Sequence, residues 1–306
     1  MTTGDDAPVG TVEVMLPHYG RLDLLQETVR SVLAQDDPRW RLTVVDDSGE
    51  LADDAVEGWC AGLGDERVRY HRNPRNLGIN RNFQQCVDLV EHDLAVIIGN
   101  DDLMLPGYVG AVRRAHAAHP EVAIVQPGVE VVDENGAPAR TLVDLSKRWV
   151  YAPRVSGSTV LAGEELAVSL LRGNWLYFPS ICWRSEPLRR TGFREGVDVV
   201  QDLALVLDLV LDGESLLVQP EVCFRYRRHR ASVSSAHAAD GRRFSEERKF
   251  FVETADRMAA RGWPRASRAA RRHLSSRINA LTRLPAAARR GGVGGVRTLA
   301  RHAFGA

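Results

Sequence analysis

The chain has 306 residues, of which 44% are apolar, and it carries 40 basic and 40 acidic side chains. That length suits one large domain, or a domain with an appendage, and is well beyond a disulfide-stapled scaffold. A formal net charge of zero gives no ground for a nucleic-acid partner. The segment Met1-Thr2-Thr3-Gly4-Asp5-Asp6 is acidic and lacks an apolar signal core, and no later run reaches the ~18 apolar residues of a spanning helix. Neither export nor membrane insertion is expected, and a cytoplasmic protein fits. Cys60, Cys86, Cys182 and Cys223 stand far apart with no paired metal-ligand spacing, which predicts reduced structural thiols rather than disulfides or a zinc site.

Residues 12–16 read as a strand that runs into Pro17-His18-Tyr19-Gly20-Arg21. An amphipathic helix follows, with Leu24, Leu25, Val29, Val32 and Leu33 near helical spacing. Residues 41–45 form a second apolar strand ending in Asp46 and Asp47, and 68–71 a third; residues 79–90 are a helix with Phe83, Val87 and Val90 on one face. Val96-Ile97-Ile98 then leads through Gly99-Asn100 into Asp101 and Asp102, and Pro106 opens a helix to about His119. Strands alternating with helices predict an α/β fold with a parallel sheet. Further strands are expected at 122–126 and 128–133, followed by a long excursion over 134–160 rich in Gly, Pro, Ser and Thr. A short helix opens at Gly163, residues 175–183 are aromatic and apolar, and 199–211 is a strongly apolar helix containing Gln201 and Asp202. Strands at 215–218 and 222–226 precede helices from Arg242, with a break at Gly262-Trp263-Pro264 and a floppy end around 291–295.

Two apolar strands that each end in a carboxylate pair carry the chemistry. Ligands of open α/β sheets bind outside the carboxyl ends of the strands, and hard divalent cations take oxygen ligands while bridging phosphates. A metal-held diphosphate at Asp101 and Asp102 is one reading; a cap on the helix after Pro106 is the other. From Arg257 to Ala306 there are 12 Arg and no Lys, Asp or Glu, leaving 28 basic against 40 acidic residues elsewhere. This tail reads as a solvated helix packing Leu274, Ile278, Leu281 and Leu284 onto the body, as an interfacial helix drawn to anionic lipid, or as a nucleic-acid contact. Pro285 and the glycines argue against one continuous helix.

The segments Met15-Leu16-Pro17-His18-Tyr19-Gly20-Arg21, Val44-Val45-Asp46-Asp47-Ser48, Asn73-Pro74-Arg75-Asn76-Leu77-Gly78-Ile79-Asn80-Arg81-Asn82 and Gly99-Asn100-Asp101-Asp102 resemble, in order and spacing, the signature of family 2 glycosyltransferases. The resemblance spans roughly residues 10 to 235. It implies the GT-A fold: a Rossmann-like α/β domain with a mostly parallel sheet flanked by helices, here with a C-terminal helical extension. It also implies a nucleotide-diphosphate sugar donor, a divalent cation (Mn²⁺ or Mg²⁺) and inverting transfer. The divisions expected are a nucleotide-sugar-binding half over 1–133, an acceptor-binding and catalytic half over 134–240, and the Arg-rich extension over 241–306.

By the same resemblance Asp102 meets the metal, and Asp101 lies near the donor ribose or supports its loop. Asp202 is the candidate general base, with Asp198 as fallback and stabilisation of the helix N-terminus as the bland role for Asp202. Asp47 could accept the imide N–H of uracil or thymine, framed by Pro17 and Tyr19, so UDP or dTDP is favoured. Asn80 and Arg81 could meet phosphate or ribose, with a surface salt bridge as the alternative for Arg81. His229, in Tyr226-Arg227-Arg228-His229, resembles a family position near the diphosphate and the metal. Trp175, Tyr177, Phe178 and Trp183 could stack on a sugar or form a core strand.

Two positions depart from the pattern: Asn100 where many relatives carry an acid, and Gln201 in place of Glu. The acceptor class is open among glycans, lipid-linked molecules and natural products, and a weak membrane-surface contact through the tail would place the protein peripherally at the membrane inner face. A nucleotidyltransferase is disfavoured by the lack of a glycine-rich loop after the first strand, and a catalytically silent nucleotide-sugar-binding module is allowed by the two departures.

Overall fold

The computed structural model describes residues 10–49, 54–139, 144, 147, 151–153, 155, 157–228, 242–289 and 293–304. Among these residues nine strands form one sheet in the order β3-β2-β1-β4-β8-β6-β9-β5, with β7 also on β9. The strands are β1 (Val12–His18), β2 (Trp40–Asp46), β3 (Val68–Arg72), β4 (Leu94–Ile97), β5 (Leu103–Met104), β6 (Ile124–Val132), β7 (Thr159–Leu161), β8 (Cys182–Arg184) and β9 (Leu216–Arg227). The expected parallel pairing holds for β3-β2-β1-β4 and for β6-β9. The rest of the sheet corrects it: β8 runs antiparallel between β4 and β6, and β5 and β7 run antiparallel to β9. Connections after β6 are no longer simple βα units, so nothing enforces a parallel return. The sheet runs through both expected halves, since β9 pairs with β6.

Alternate residues of the parallel strands face opposite layers, the period-2 consequence of strand geometry. Met15, Val45, Ala95 and Ile97 belong to one buried cluster. Val14, Leu16, Leu42, Val44, Leu94 and Val96 belong to the other. The second layer is completed by α1 (Leu22–Leu33) and α4 (Tyr108–Ala118), whose buried faces include Leu25, Val29, Val32, Tyr108 and Val112. On the first layer lie α3 (Ile79–Asp88), α5 (Gly163–Arg172), α6 (Ser185–Thr191) and α7 (Gln201–Leu211), while α2 (Asp54–Gly62) sits beside β3. Covering both faces is what makes the strands near-continuous apolar runs.

The strands expected at 215–218 and 222–226 are one strand, β9, and those at 122–126 and 128–133 are one strand, β6, with register shifts at Gly128. Prolines Pro127 and Pro220 interrupt the apolar pattern without ending the strands. The stretch 175–183 splits: Phe178–Ser180 is a 3₁₀ turn and only Cys182–Arg184 is strand.

The extension comprises α8 (Arg242–Ala260), α9 (Pro264–Arg272), α10 (Leu274–Arg289) and α11 (Val293–Phe304). It docks through Phe250, Phe251, Ala255, Met258, Ala266 and Ala270, all in the first core cluster. The expectation that Leu274, Ile278 and Leu281 make this contact is overturned: they are 59%, 45% and 38% exposed. Pro285 lies inside α10, contrary to its expected role as a break.

His116 of α4 is fully buried, and burial followed by the charge of Arg184 pushes its pKa down from 6.5 to about 4. The folded protein therefore holds it neutral where the unfolded chain binds a proton, so stability is full above pH 6.5 and falls as the pH drops towards 4. The expected loss is on the order of 3 kcal/mol. Denaturant titrations of wild type and His116→Leu between those pH values check this: the variant's midpoint should vary less with pH, and parallel curves would refute it.

Candidate active site

The carboxyl ends of β1, β2 and β4 lie side by side, since His18 registers with Asp46 and Met15 with Ile97. The loops leaving these ends are tied together by Asp47 N–H to His18 O (2.9 Å), Asn73 N–H to Asp46 O (2.9 Å) and Ile98 N–H to Met15 O (2.9 Å). His18 was not among the expected site residues, yet its side chain is buried and its Nδ1 lies 3.2 Å from Asn100 Oδ1. It thus links the ends of β1 and β4, and its Nε2 is buried with no hydrogen-bond partner among the described residues. Tyr19, one residue on, is 62% exposed at the rim, beside half-buried Pro17.

Asp46 is buried and accepts from Ser48 N–H (2.9 Å) and Tyr70 O–H (2.7 Å). Burial works to raise its pKa, but these hydrogen bonds outweigh it and leave the group below its ordinary value. Asp47 is also buried, and its carboxylate accepts from Asn73 Nδ2 (2.9 Å), Leu77 N–H (2.8 Å) and Gly78 N–H (3.0 Å). Three of about four acceptor positions are therefore taken by protein donors, so a carboxylate standing open to a base is not what the geometry provides. Asp47 instead holds the 73–78 segment against the rim. Gly49 lets that segment approach: its φ is +57° and a Cβ would lie 2.5 Å from Asn76 N.

Replacing Asp47 by Ala would strand one buried donor, Asn73 Nδ2, and two partly buried ones, Leu77 and Gly78 N–H, with an expected stability loss of roughly 2 kcal/mol. Denaturation of Asp47→Ala measures it, and a stability equal to wild type would show that the segment is held by other contacts.

Asp102, at the end of the β4 loop, is 1% exposed. Its Oδ1 accepts from Arg227 N–H at 2.9 Å, at the end of β9, and its main-chain oxygen accepts from Thr28 Oγ1 at 2.9 Å. Burial and then the adjacent charge of Asp101 push the Asp102 carboxyl well above the usual range, with Arg227 and Arg228 pulling the other way. Both carboxylates fold over Gly99, where a Cβ would stand 2.5 Å from Asp102 Oδ2 and 3.0 Å from Asp101 Oδ1. Only glycine leaves room for the pair to share that space. Among the described residues no three His, Cys, Asp or Glu side chains form a metal cage. A pair of oxygen donors with like charge fits a cation whose remaining ligands come from a diphosphate and water. His229 lies outside the described residues.

Asp202 is the second residue of α7, whose N-cap Val200 makes no side-chain capping bond, so the bland capping role is reduced to a dipole interaction. Its Oδ2 accepts from Asn174 Nδ2 at 2.9 Å, and Asn174 Oδ1 in turn accepts from Leu176 N–H at 3.2 Å. Asn80 Nδ2 donates to Val197 O (2.8 Å) and Gln201 Oε1 (3.1 Å), binding the start of α3 to the start of α7. Glu246 of α8 accepts from Val199 N–H at 2.7 Å, so the C-terminal extension also fixes the turn that presents Asp202. Asp198 lies in that same turn. Arg81 forms an exposed ion pair with Glu195, which is the alternative considered for it.

A cleft of about 810 Å³ has Gln126, Gly128, Asp144, Lys147, Trp175 and Tyr177 on its walls. Lys147 Nζ donates to Leu176 O at 2.8 Å and lies 4.6 Å from the Tyr177 ring centre. Burial and then Arg228 bring its pKa down to about 8, against the pull of Asp202 and Asp144. Asp144 accepts from Arg228 Nη2 (2.6 Å) and Tyr177 O–H (3.2 Å). The aromatic stretch therefore divides: Tyr177 faces the cleft, Trp175 borders it while 4% exposed and part of the first core cluster, Phe178 packs with Phe83 and Phe193, and Trp183 is core. Asn174, Asp144 and Lys147 carry no local pattern that could have singled them out.

The sequence profile of glycosyl transferase family 2 matches residues 13–164. The uncharacterised Mycobacterium tuberculosis protein MT1568 is 26% identical over 235 residues, covering 76% of this chain and 71% of that protein. The putative colanic acid biosynthesis glycosyl transferase WcaA of Escherichia coli K12 is 26% identical over 95 residues, covering 31% of this chain and 34% of that one. In structure, Staphylococcus aureus TarS residues 1–349 in complex with UDP-GlcNAc superimpose with a TM-score of 0.62 at 13% identity, over 80% of this chain and 67% of TarS 1–349. The complex of TarS 1–349 with UDP gives 0.57 over 94% and 90% at 13% identity. The profile match runs from β1 through the start of α5 and so takes in the whole carboxylate rim, and with it the chain belongs to glycosyltransferase family 2 and is a glycosyltransferase.

Proposed function

We propose that this protein moves a sugar from a nucleotide-diphosphate donor, UDP- or dTDP-linked, to an acceptor hydroxyl or amine in one inverting displacement assisted by a divalent cation. The observation that carries the reading is the carboxylate pair of half-buried Asp101 and buried Asp102 in the loop after β4, on the same rim as the ends of β1 and β2. TarS structures hold UDP-GlcNAc and UDP, which supports a donor of that class here. Pro17 and Tyr19 would frame the base, with Asp47 acting through the 73–78 segment that it holds. Asp101 would reach the ribose or support its loop. Asn80 acts on the Asp202 turn, and Arg81 would have to leave Glu195 to meet a phosphate.

In the displacement, Asp202 takes the acceptor proton as the acceptor oxygen or nitrogen bonds to the anomeric carbon. The bond from that carbon to the phosphate oxygen breaks and its electron pair leaves with the diphosphate. Asn174 and the Asn80–Gln201 contact keep Asp202 in place, so that little reorganisation accompanies proton transfer. A Mn²⁺ or Mg²⁺ ion held by Asp102, with His229 as a further ligand, would neutralise charge on the leaving diphosphate. Tyr177 offers a ring on which the acceptor, whether a glycan, a lipid-linked molecule or a natural product, could stack.

No helix among the described residues is long and apolar enough to cross a membrane. The four cysteines are free and buried, which suits a reducing, cytoplasmic setting.

Incubating the full chain with UDP- and dTDP-sugars and Mn²⁺, and measuring nucleotide release, tests the proposal. Release from one donor class, with an inverted anomeric configuration in the transferred product, is the expected result. Tight nucleotide binding without release would instead mark a silent binding module, and neither binding nor release would overturn the donor assignment.

A further inference from the structure

We propose that the outer face of α10, together with the end of α11 beside it, docks onto an anionic lipid bilayer. The inner face of α10 is accounted for: Ala280 packs with Leu299 and Ala303 of α11. Ser276 Oγ meets His302 Nε2 at 2.8 Å and the His273 and His302 rings stand 5.2 Å apart. These contacts set the C-terminal end of α11 against the start of α10. On the outer face Leu274, Ile278 and Leu281, spaced as positions i, i+4 and i+7, fall on one stripe. Phe304, at the end of α11, is 71% exposed.

An aliphatic stripe left in water calls for a cover, and the surrounding charge says which. The last 50 residues hold 12 Arg and no acid. Arg268, Arg272 and Arg301 are exposed, and no carboxylate among the described residues pairs with them. A second copy of this chain would bring the same positive face to a two-fold contact and repel it. A nucleic acid would match the charge but leave the stripe wet. An anionic bilayer answers both features: the stripe enters the boundary between headgroups and acyl chains while the guanidinium groups meet phosphate oxygens. The inference does not depend on the transfer reaction, and its test is read without substrate.

The full chain is sedimented with vesicles of phosphatidylglycerol and phosphatidylcholine in equal parts, and with phosphatidylcholine alone. Partition onto the anionic vesicles should exceed that onto the neutral ones by at least about tenfold and fall as salt rises, since each arginine near such a surface is worth about fivefold. The triple substitution Leu274→Ser, Ile278→Ser, Leu281→Ser should lower partition by at least about tenfold with an unchanged melting temperature. Arg268→Glu with Arg272→Glu should do the same through charge alone, and decides the matter if the serine variant fails to fold. Equal partition on both vesicles, or binding that survives both variants, overturns the proposal. So does a dimer that the serine substitutions dissolve without any vesicle binding, or stronger binding to a short DNA duplex that only the arginine substitutions weaken.

Discussion

Asp202→Asn is expected to lower sugar transfer by about 10²–10⁴-fold, the usual scale for removing a general base. Melting temperature and affinity for the nucleotide should barely move. The structural reason for this separation is that Asp202 makes no capping hydrogen bond; its carboxylate accepts from Asn174 Nδ2, and an asparagine in its place still presents an oxygen to that donor. Asp202→Ala loses that contact as well and leaves Asn174 to water. A further stability cost of about 1 kcal/mol is then expected. Turnover and thermal melts for both variants, with the same two measurements on Asp198→Asn, decide the assignment. Near-normal turnover in Asp202→Asn combined with a large loss in Asp198→Asn would move the base one turn earlier in the chain.

The parts of this site that lie on strand ends were legible because strand and turn signals are local. An apolar β-branched run that stops at two carboxylates tells where a strand ends and what stands there, so β1, β2 and β4 and their rim residues follow from the sequence. What it does not carry is which neighbour a side chain finds. Asp47 reads as open to a ligand until the 73–78 segment folds over it, and His18 carries no assigned role until β1 and β4 set it against Asn100. Those contacts join residues far apart in the chain, and no periodicity reports them.

The second half was read less well for the same reason. Asn174, Glu246 and Asn80 come from three separate segments and each reaches the start of α7 or the turn before it only because α3, α7 and α8 share the layer over the sheet. The apolar stripe of α10 shows the opposite failure. Leu274, Ile278 and Leu281 have the spacing of a buried helix face, yet the packing face is the one carrying Ser276 and Ala280, with small residues that let α11 come close. Helical period identifies a face; it does not say that the face is covered.

Removing Asp102 should affect donor chemistry more than any other rim substitution. The carboxylate is buried, its pKa is driven up by burial and by Asp101, and it lies against the end of β9 through Arg227 N–H. Such a group gains most from a cation that neutralises the pair, and the diphosphate completes the ion's oxygen ligands. In Asp102→Asn the hydrogen bond from Arg227 N–H can persist, so the fold is expected to hold while half of the pair's charge is lost. UDP or dTDP should raise the melting temperature of the wild type only when Mn²⁺ or Mg²⁺ is present, and the variant should lose the cation-dependent part. Turnover should fall by roughly 10³-fold, corresponding to the several kcal/mol that a metal contributes at a leaving diphosphate. Chelation with EDTA supplies the independent arm: wild type stripped of metal should resemble Asp102→Asn in both measurements. If nucleotide binding and turnover persist in EDTA while Asp102→Asn remains inactive, the carboxylate serves the loop over Gly99 and the strand end at Arg227 rather than a metal.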